Sequence, residues 1–549
     1  MDTKRLILFI ALSFGILFAW NLWTEKHYPQ PSRASAPASA SAAATASSTA
    51  AVAPAASGQL GKGQVIKVET DLLRAEINTV GGDIRYVELL KFGATDDPKK
   101  PFVLLQDRGE HTYVAQSGLK GDGLPDHTAV FTASQTSYKL TEGQDSVAVK
   151  LEYAGQDGVK VSKVLTFKRG SYVVGVNQEV SNGSAKPLAA KGYYRLMRDG
   201  KVENPGMFGT HTYTGPAVYT EAGKFQKNDF STIAKGEAKY VQSSKDGWVA
   251  MVQHYFVSAW LLDPLGQQSV CAPNDCRFEL GKIDNTDNMF YAGMLFDYPQ
   301  IAPGSVQGKT VSLYLGPQET RVLDETATGL DLTKDYGIFA IFSKPLFWLL
   351  DKIHMLVGNW GWAIVIVTLL IKAAFYPLSN ASYRSMARMR QLAPRMEALK
   401  ERHGEDKMKY QQAVMEMYKT EKVNPLGGCL PILIQIPIFM GFYWMLIAAV
   451  ELRQAPWIWW IHDLSVKDPY YILPVIYAAS MYVQQKLSPP PPDPMQAKMM
   501  KMMPLIFSVF FLFFPAGLVL YWVVNNLISI AQQWWITHRI EQEDKKKAA

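Results

Sequence analysis

Hydrophobic and polar positions follow three different patterns along the chain. Residues 6–23 form one apolar run, residues 59–334 alternate apolar and polar positions between turn residues, and several long apolar runs follow from residue 355 onward. Apolar runs of about 18 residues or more have the length of a membrane span, whereas alternation with period two is typical of half-buried strands. The pattern predicts a chain that is divided between lipid and water.

The alternating region, residues 59–334, predicts a large all-β domain. Val147–Tyr153, Lys160–Phe167 and Tyr172–Val180 are examples of its short strands, and glycine, asparagine and aspartate separate such segments. These residues favour turns, and so many short strands predict an antiparallel sandwich. Its four histidines are scattered, which favours a structural or partner-binding domain, and a sugar-binding or catalytic role stays open.

Residues 1–26 predict an N-terminal transmembrane anchor. Lys4 and Arg5 precede the apolar run, and positive residues tend to stay in the cytoplasm, so the chain beyond the anchor is expected to be periplasmic. No small-residue cleavage site follows the run directly, which favours an uncleaved anchor over cleavage in the later Ala/Ser tract. Residues 27–58, rich in Ala, Ser, Pro and Thr, predict a flexible linker.

The C-terminal part predicts a membrane core. Residues 335–354 show apolar positions three and four apart, which favours an amphipathic helix at the membrane surface over a last helix of the β domain. Residues 355–540 are expected to hold five further spans. These lie at about 355–377, 426–450, 470–485, 504–515 and 518–534.

Flanking charge decides between one kinked span and a hairpin of two short spans in the last apolar block. Residues 378–428 carry ten Lys/Arg against six Asp/Glu, and basic residues lie on both sides of the last block, including the tail 541–549. Because cytoplasmic loops are enriched in Lys and Arg, both sides are placed inside, which favours the hairpin. We therefore expect six spans, both termini in the cytoplasm and residues 59–334 in the periplasm.

Residues 380–423 predict a cytoplasmic helical hairpin. Met386, Met389 and Met396 belong to one series of apolar positions spaced three or four apart, and such a series forms an apolar seam. Two interpretations stay open: the hairpin is purely structural, or it is a docking surface for cytosolic partners.

The predicted spans contain one cation, Lys372, with Thr368 one turn earlier on the same face. Charged groups within a membrane are costly and often functional, but a lysine near a span end can also extend to the headgroups. Other polar positions are Gln435, Tyr521, Asn525 and Ser529. They either bond helices together or line a water-filled groove, and spacing alone does not exclude a channel or a scaffold.

Composition and motifs exclude several classes of function. The net charge is only +7 and dispersed, which is not typical of a nucleic-acid binder. The sequence has neither an HExxH motif nor a phosphate-binding loop, so we expect no enzyme, metal or other cofactor. Cys271 and Cys276 are candidates for a short disulfide if the β domain is periplasmic, and two free thiols are the alternative.

Long strings in the core resemble the YidC/Oxa/Alb family, in its Gram-negative type with a large periplasmic domain. They are NPLGGCLPILIQIP at Asn424–Pro437, WIHDLS at Trp460–Ser465 and FPAGLVLY at Phe514–Tyr521. The resemblance implies a membrane protein insertase and chaperone of the bacterial inner membrane. It also implies a β-supersandwich similar to sugar-mutarotase folds, and fold similarity alone carries no activity.

The resemblance implies a hydrophilic groove that is open to the cytoplasm and to lipid. Lys372 matches the groove cation, which is arginine in many members, so the charge is kept but bidentate carboxylate binding is lost. Thr368, Gln435 and Tyr521 match other groove or client-contact positions. Trp522 stands where some members have tyrosine.

The resemblance also implies a route for clients and a set of partners. A polar flank would enter the groove, and the apolar segment would leave along a slide that includes Pro431, Ile436 and Pro437, driven by lipid partitioning and the membrane potential. The implied partners are nascent membrane proteins, the Sec translocon, ribosome and signal-recognition components, and membrane lipids. No specific nucleic-acid sequence is expected.

Overall fold

The computed structural model describes residues 60–548, except for 110, 203–211, 272–275, 285, 287, 404–405, 422–429, 488–501, 503–505 and 507. The predicted anchor and linker lie outside the described residues. The chain separates into two compact units, and the boundary lies between Lys334 and Asp335. We call the first the β unit and the second the helical unit.

The β unit consists mainly of short strands. In chain order they are β1 (Val65–Glu69), β2 (Leu73–Asn78), β3 (Asp83–Gly93), β4 (Pro101–Leu105), β5 (Tyr113–Lys120), β6 (Thr132–Ala133), β7 (Ser137–Lys139), β8 (Ser146–Ala154), β9 (Val159–Lys168), β10 (Val173–Asn182), β11 (Lys191–Asp199), β12 (Gly215–Thr220), β13 (Lys224–Lys227), β14 (Ser243–Ser244), β15 (Trp248–Gln253), β16 (Phe256–Leu261), β17 (Cys276–Lys282), β18 (Met289–Asp297) and β19 (Val306–Pro317).

These strands form two sheets. The first has the order β14-β17-β18-β11-β5-β3-β2-β1-β7, with β4 paired to β3, and the second has the order β13-β12-β15-β16-β19-β10-β9-β8-β6. Within the described strands the pairing is antiparallel, apart from the parallel pair β1 and β7. Such sheets tolerate one solvated face, which explains the alternation in the sequence.

The core of the β unit lies between the two sheets. Tyr194 of β11 and Trp260 of β16 meet edge to face with ring centroids 5.0 Å apart. Both side chains are almost completely buried, as are Trp248 and Tyr314. Aromatic residues of this size bury large apolar areas, so they dominate the packing energy. The predicted all-β sandwich is confirmed.

Short helices and a disulfide complete the β unit. The helices are α1 (Phe230–Ala234), α2 (Thr320–Thr326) and the 3-10 turns Gln156–Gly158 and Leu330–Thr333. Cys271 is joined by a disulfide to Cys276, the first residue of β17, and their Cα atoms are 5.4 Å apart. The bond closes the short segment that leads into this strand.

The helical unit begins with the 3-10 turn Gly337–Phe339. Its helices are α3 (Ala340–Val357), α4 (Trp360–Ala374), α5 (Tyr376–Gln391), α6 (Ala393–His403), α7 (Lys407–Thr420), α8 (Leu430–Ala448), α9 (Ile472–Leu487) and α10 (Ala516–Ala548), with a further 3-10 turn at Val450–Leu452. Within the described part of the chain, no single helix has both the length and the apolar character of a membrane span. The pair Trp360–Ala374 and Tyr376–Met389, bent by 66°, has both when the two helices are taken together.

The boundary between the predicted surface helix and the first core span differs from the expected position. The helix expected at 335–354 continues to Val357. It ends there because Gly358 adopts a left-handed φ of 68°. Asn359 then caps α4 by accepting a hydrogen bond from the Trp362 amide. The helix in the segment expected as a span at 355–377 therefore begins at Trp360, and Pro377 lies in the first turn of α5, where proline is tolerated.

The last apolar block is interrupted where the sequence has Pro515. A turn at Leu512–Phe514 precedes the proline, and Lys467 pairs with Pro515 in an isolated antiparallel bridge. The helix α10 then continues to Ala548, well beyond the span expected at 518–534 and into the basic tail.

The interior of the helical unit is packed closely. Gly441 of α8 admits α3, since a Cβ at this position would lie 2.6 Å from the Cβ of Phe342. The Ser343 hydroxyl donates to the Gly441 carbonyl at 2.8 Å. Phe442 stacks on Tyr521 of α10 with ring centroids 4.3 Å apart. This packing places the polar face of α10 opposite α4 and α8.

Candidate functional site

Lys372 lies near the C-terminal end of α4 and is buried. Its side chain is 8% exposed, and its Nζ donates a hydrogen bond to the Ser529 hydroxyl at 2.8 Å. Among the residues that the structure describes, no carboxylate pairs with this cation. Because an ammonium group has three N–H donors, two of them remain for a ligand or for water.

The polar face of α10 carries the groups around this cation. Tyr521, Asn525 and Ser529 are all buried and recur every four residues, so they share one face. Gln435 of α8 donates from Nε2 to the Asn525 side-chain oxygen at 2.8 Å and to the Tyr521 hydroxyl at 3.1 Å. Together with Lys372 these four residues form what we call the polar network, which joins α4, α8 and α10.

The hydroxyl of Thr368 bonds within its own helix rather than with the polar network. It is 1% exposed, and its hydroxyl donates to the Ile364 carbonyl of its own helix at 2.7 Å. Threonine often satisfies its hydroxyl in this way within a helix. The hydroxyl therefore offers only an acceptor, and no hydrogen bond connects it to the polar network.

A second polar contact of α10 was missed at the level of sequence. The Asn526 amide donates to the Ser480 hydroxyl of α9 at 2.7 Å, and the Gln533 amide donates to the Leu487 carbonyl at 3.1 Å. The signal in the sequence was the Asn525-Asn526 pair, because adjacent residues on a helix point about 100° apart and reach different neighbours.

The residues expected to form the client slide lie on α8. Ile436 is 49% exposed, and Pro437 lies inside the helix, where it removes a backbone donor. Pro431 lies in the first turn of α8, and its side chain is outside the described part. Ile436 and Pro437 therefore follow Gln435 directly in α8. The side chain of Ile436 is exposed, whereas that of Gln435 is half-buried.

The methionines of the predicted hairpin do not share one environment. Met386 and Met389 are half-buried on α5. Met396 of α6 is 8% exposed, and its sulfur accepts a hydrogen bond from the Tyr418 hydroxyl of α7 at 3.2 Å. Met396 therefore lies in the seam between α6 and α7, and its role in docking stays a prediction. Among the described residues of the hairpin, the exposed methionines are Met408 and Met415 of α7.

Fold and site together define a class of protein. An all-β sandwich precedes a unit of apolar helices, and these helices enclose a polar network with a buried lysine that has no carboxylate partner among the described residues. Groups of this kind are expensive in an apolar protein and usually mark the path of a substrate or client. Within the described residues no cluster of metal-ligand side chains occurs.

Comparison with known proteins identifies the family. Residues 65–349 match the family model of the YidC periplasmic domain, and residues 352–544 match that of the 60Kd inner membrane protein. The chain is 56% identical to the membrane protein insertase YidC of Laribacter hongkongensis, over 100% of this chain and 99% of that protein. It is 51% identical to the YidC insertase of Aromatoleum aromaticum, over 99% of each chain.

The chain therefore belongs to the YidC family of membrane protein insertases, and the resemblance seen in its core sequence is confirmed. A solved structure of an active YidC insertase, with its first transmembrane domain resolved, covers 86% of this chain and 94% of that chain. Its sequence identity is 18% and its TM-score 0.39. The protein is an inner-membrane insertase with a periplasmic domain, and its clients are nascent membrane proteins.

Proposed function

We propose that the polar network is the place where the insertase receives the polar flank of a client. The observation that carries the proposal is Lys372, a buried cation with a single hydrogen bond and no carboxylate partner among the described residues. Removing an ion from water costs about several kcal/mol unless partners compensate. A carboxylate or polar backbone of a client, or water in an open groove, supplies that compensation.

The remaining residues of the network keep the receiving site polar. Asn525 and Gln435 present amide groups, and Tyr521 presents a hydroxyl, beside the cation. A hydrated site within an apolar bundle shortens the distance over which a polar flank has to cross hydrocarbon. The apolar segment of the client then leaves along α8, past Pro431, Ile436 and Pro437, and partitions into lipid. Partitioning and the membrane potential drive the step, and no nucleotide is needed.

We place six spans in the membrane, with both termini and the α6–α7 hairpin in the cytoplasm and the β unit in the periplasm. The bent pair α4 and α5 and the break before Pro515 support this arrangement. In it α3 lies at the periplasmic surface of the membrane, which is supported by the exposed apolar side chains of Ile341, Trp348 and Leu356.

The hairpin and the basic tail are the surfaces that we assign to cytosolic partners, namely the ribosome and signal-recognition components. Met408 and Met415 support this assignment, because they are 67% and 50% exposed and flexible thioethers adapt to varied apolar partners. Chaperone action, alone or with the Sec translocon, uses the same groove, and lipids surround its open side.

Reconstitution into liposomes tests the role of the cation. A small single-span client with a short acidic flank is added without nucleotide, and protease protection of that flank is measured. We expect Lys372→Ala to reduce the protected fraction at early times by about tenfold or more, as for the loss of a charge-assisted hydrogen bond. Lys372→Arg keeps the charge and is expected to retain most of the activity.

The matched control is Lys486→Ala, at the end of α9. Lys486 is exposed and lies over the Tyr482 ring at 4.8 Å, so it contacts lipid or water rather than the network. Equal protection by the Lys372→Ala and wild-type proteins would show that Lys372 serves only to reach the headgroups. Equal losses in the two alanine variants would show a nonspecific effect of charge.

A further inference from the structure

The β unit contains a cleft that the insertion mechanism does not use. It is shallow and opens on one face of the first sheet. The side chains that line it come from four neighbouring strands. They are Lys120 of β5, Tyr193 and Arg195 of β11, Tyr291 of β18 and Glu279 of β17.

Glycines on neighbouring strands make room for the side chains that line this cleft. Three of its side chains lie directly opposite a glycine on a neighbouring strand. The pairs are Tyr193 with Gly118, Arg195 with Gly293, and Tyr291 with Gly281. A Cβ at Gly118 would overlap the Tyr193 ring, and one at Gly281 would lie 2.6 Å from the Tyr291 hydroxyl. The two rings therefore lie flat over the sheet, which only glycine permits.

Hydrogen bonds to two neighbouring side chains hold the guanidinium group of Arg195 in place. Its Nε donates to the Gln116 side-chain oxygen at 2.9 Å, and its Nη2 donates to Nε2 of His127 at 3.1 Å. Gln116 is itself fixed, since it is 1% exposed and its amide donates to Asp83 at 2.8 Å. The guanidinium carbon lies 6.0 Å from the centroid of Tyr193 and 5.8 Å from that of Tyr291.

The charge in the cleft is not balanced. Within the described residues Arg195 has no carboxylate partner, and its Nη1 makes no hydrogen bond. Lys120 has no carboxylate partner there either, and its Nζ lies 5.7 Å from the Tyr193 ring centroid. The carboxylate of Glu279 is 3.7 Å from Arg277. Two cations with free donors therefore face a space between aromatic rings.

We propose that this cleft binds a small carboxylate carried on a six-membered ring. The carboxylate accepts hydrogen bonds from Nη1 of Arg195 and from Lys120, and the ring packs against Tyr193 and Tyr291. A pre-positioned guanidinium is well suited to carboxylates, and the open side of the cleft lets a ring stack on the tyrosines from the solvent. The ring is either apolar, as in an aromatic acid, or polyhydroxylated, as in a uronic acid. This site is separate from the insertion of clients.

Isothermal titration of the full-length protein in detergent tests the proposal. The probes are benzoate and glucuronate, and each is compared with its uncharged counterpart, benzamide or glucose. We expect one carboxylate to bind at least about tenfold more tightly than its counterpart, which is the effect of one charge-assisted hydrogen bond. Preference for benzoate assigns an apolar ring, and preference for glucuronate assigns a hydroxylated ring.

Variants then locate the site. Arg195→Gln is expected to weaken binding at least about tenfold, and Lys120→Gln by a smaller factor. Unlike Arg195, Lys120 does not take part in the hydrogen bonds with Gln116 and His127. The Lys120→Gln variant therefore stays informative if Arg195→Gln fails to fold. The control is Lys191→Gln. Lys191 is exposed, lies on the same strand as Arg195 and pairs with Asp297 at 3.3 Å.

Two results would overturn the proposal. One is the absence of binding of either carboxylate to the wild-type protein at millimolar concentration. The other is unchanged binding in both the Arg195→Gln and Lys120→Gln variants, each with a wild-type thermal unfolding profile. Insertion activity does not enter the experiment, so its outcome is independent of the mechanism proposed above.

Discussion

At the scale of single residues, two of the buried lysines in the described part of the chain, Lys163 and Lys372, are stabilised in different ways. Lys163 of β9 donates to the carbonyls of Gly81 and Ser117 at 2.5 and 2.8 Å, and it faces the buried Asp83. Burial lowers the pKa of Lys163 to about 8 and raises that of Asp83 to about 6. Lys372 has one hydrogen bond to a hydroxyl. Lys163 is therefore a structural cation, whereas Lys372 keeps N–H donors that the proposed mechanism assigns to a client.

His127 is held as a neutral ring. Its Nε2 accepts a hydrogen bond from Arg195, so the proton lies on Nδ1, which donates to the Tyr193 hydroxyl at 2.7 Å. Burial and the nearby Arg195 lower the pKa of His127 to about 4 from its ordinary value of 6.5. Between these pH values the unfolded chain takes up a proton that the folded chain does not, so acidification removes stability.

His127→Gln is therefore expected to reduce the loss of Tm of the β unit between pH 6.5 and pH 4.5. Asp83 acts in the opposite direction in this window, because its raised pKa makes the folded state bind the proton first. The prediction therefore concerns the difference between variant and wild type, measured by thermal unfolding of the full-length protein. His111→Gln, at an exposed position, is the control. An equal loss in wild type and His127→Gln would contradict the neutral ring.

At the scale of elements, α10 carries two polar faces within one helix. Asn525 and Ser529 face α8 and α4, whereas Asn526 and Gln533 face α9. Polar contacts between apolar helices contribute about 0.6 kcal/mol on average, and they also restrict the rotation of a helix. The contacts with α9 therefore fix the rotation at which Ser529 meets Lys372.

The disulfide before β17 is a second feature at this scale. It closes a loop between residues five apart, and both cysteines are buried. Loop-closure entropy predicts a contribution of about 2 kcal/mol to the free energy of unfolding. We expect the double variant Cys271→Ser, Cys276→Ser to lower the Tm of the β unit by about 5 °C.

Thermal unfolding with and without a reductant checks this expectation. Reduction of the wild-type protein should lower the Tm by a similar amount, whereas the double variant should not respond. The control is Cys429→Ser, which leaves the disulfide intact. A reductant-insensitive Tm in the wild-type protein would show that the bond does not contribute to stability.

At the scale of the whole molecule, the proposed topology makes a prediction for each loop. In a Cys429→Ser background, a cysteine at position 459 should react with a membrane-impermeant maleimide from the periplasm. Trp459 is 80% exposed there. Cysteines at positions 402 and 542 should react only after the inner membrane is opened. Labelling of position 542 from the periplasm would replace the hairpin with a single last span and give five spans.

The sequence by itself determined the elements and the residue types of the site. Alternation with period two is a local property, so it predicted the β sandwich, and apolar runs with basic flanks predicted the membrane core. The cation Lys372 was visible because a charge inside an apolar run is unusual. Helix ends were less accurate, since α3 continues to Val357 and ends where Gly358 adopts a left-handed φ.

Only the tertiary structure decided which polar groups meet. Lys372 and Ser529 are 157 residues apart, and Gln435 and Asn525 are 90 apart, so no periodicity in the sequence relates them. The contact of Met396 with Tyr418 also depends on how α6 pairs with α7, although the sequence already placed Met396 in an apolar seam. The cleft that we propose binds a carboxylate likewise depends on strand register. A slip by one residue would move Arg195 to the opposite face of the sheet. Such contacts arise from the packing of whole elements, which a local pattern does not specify.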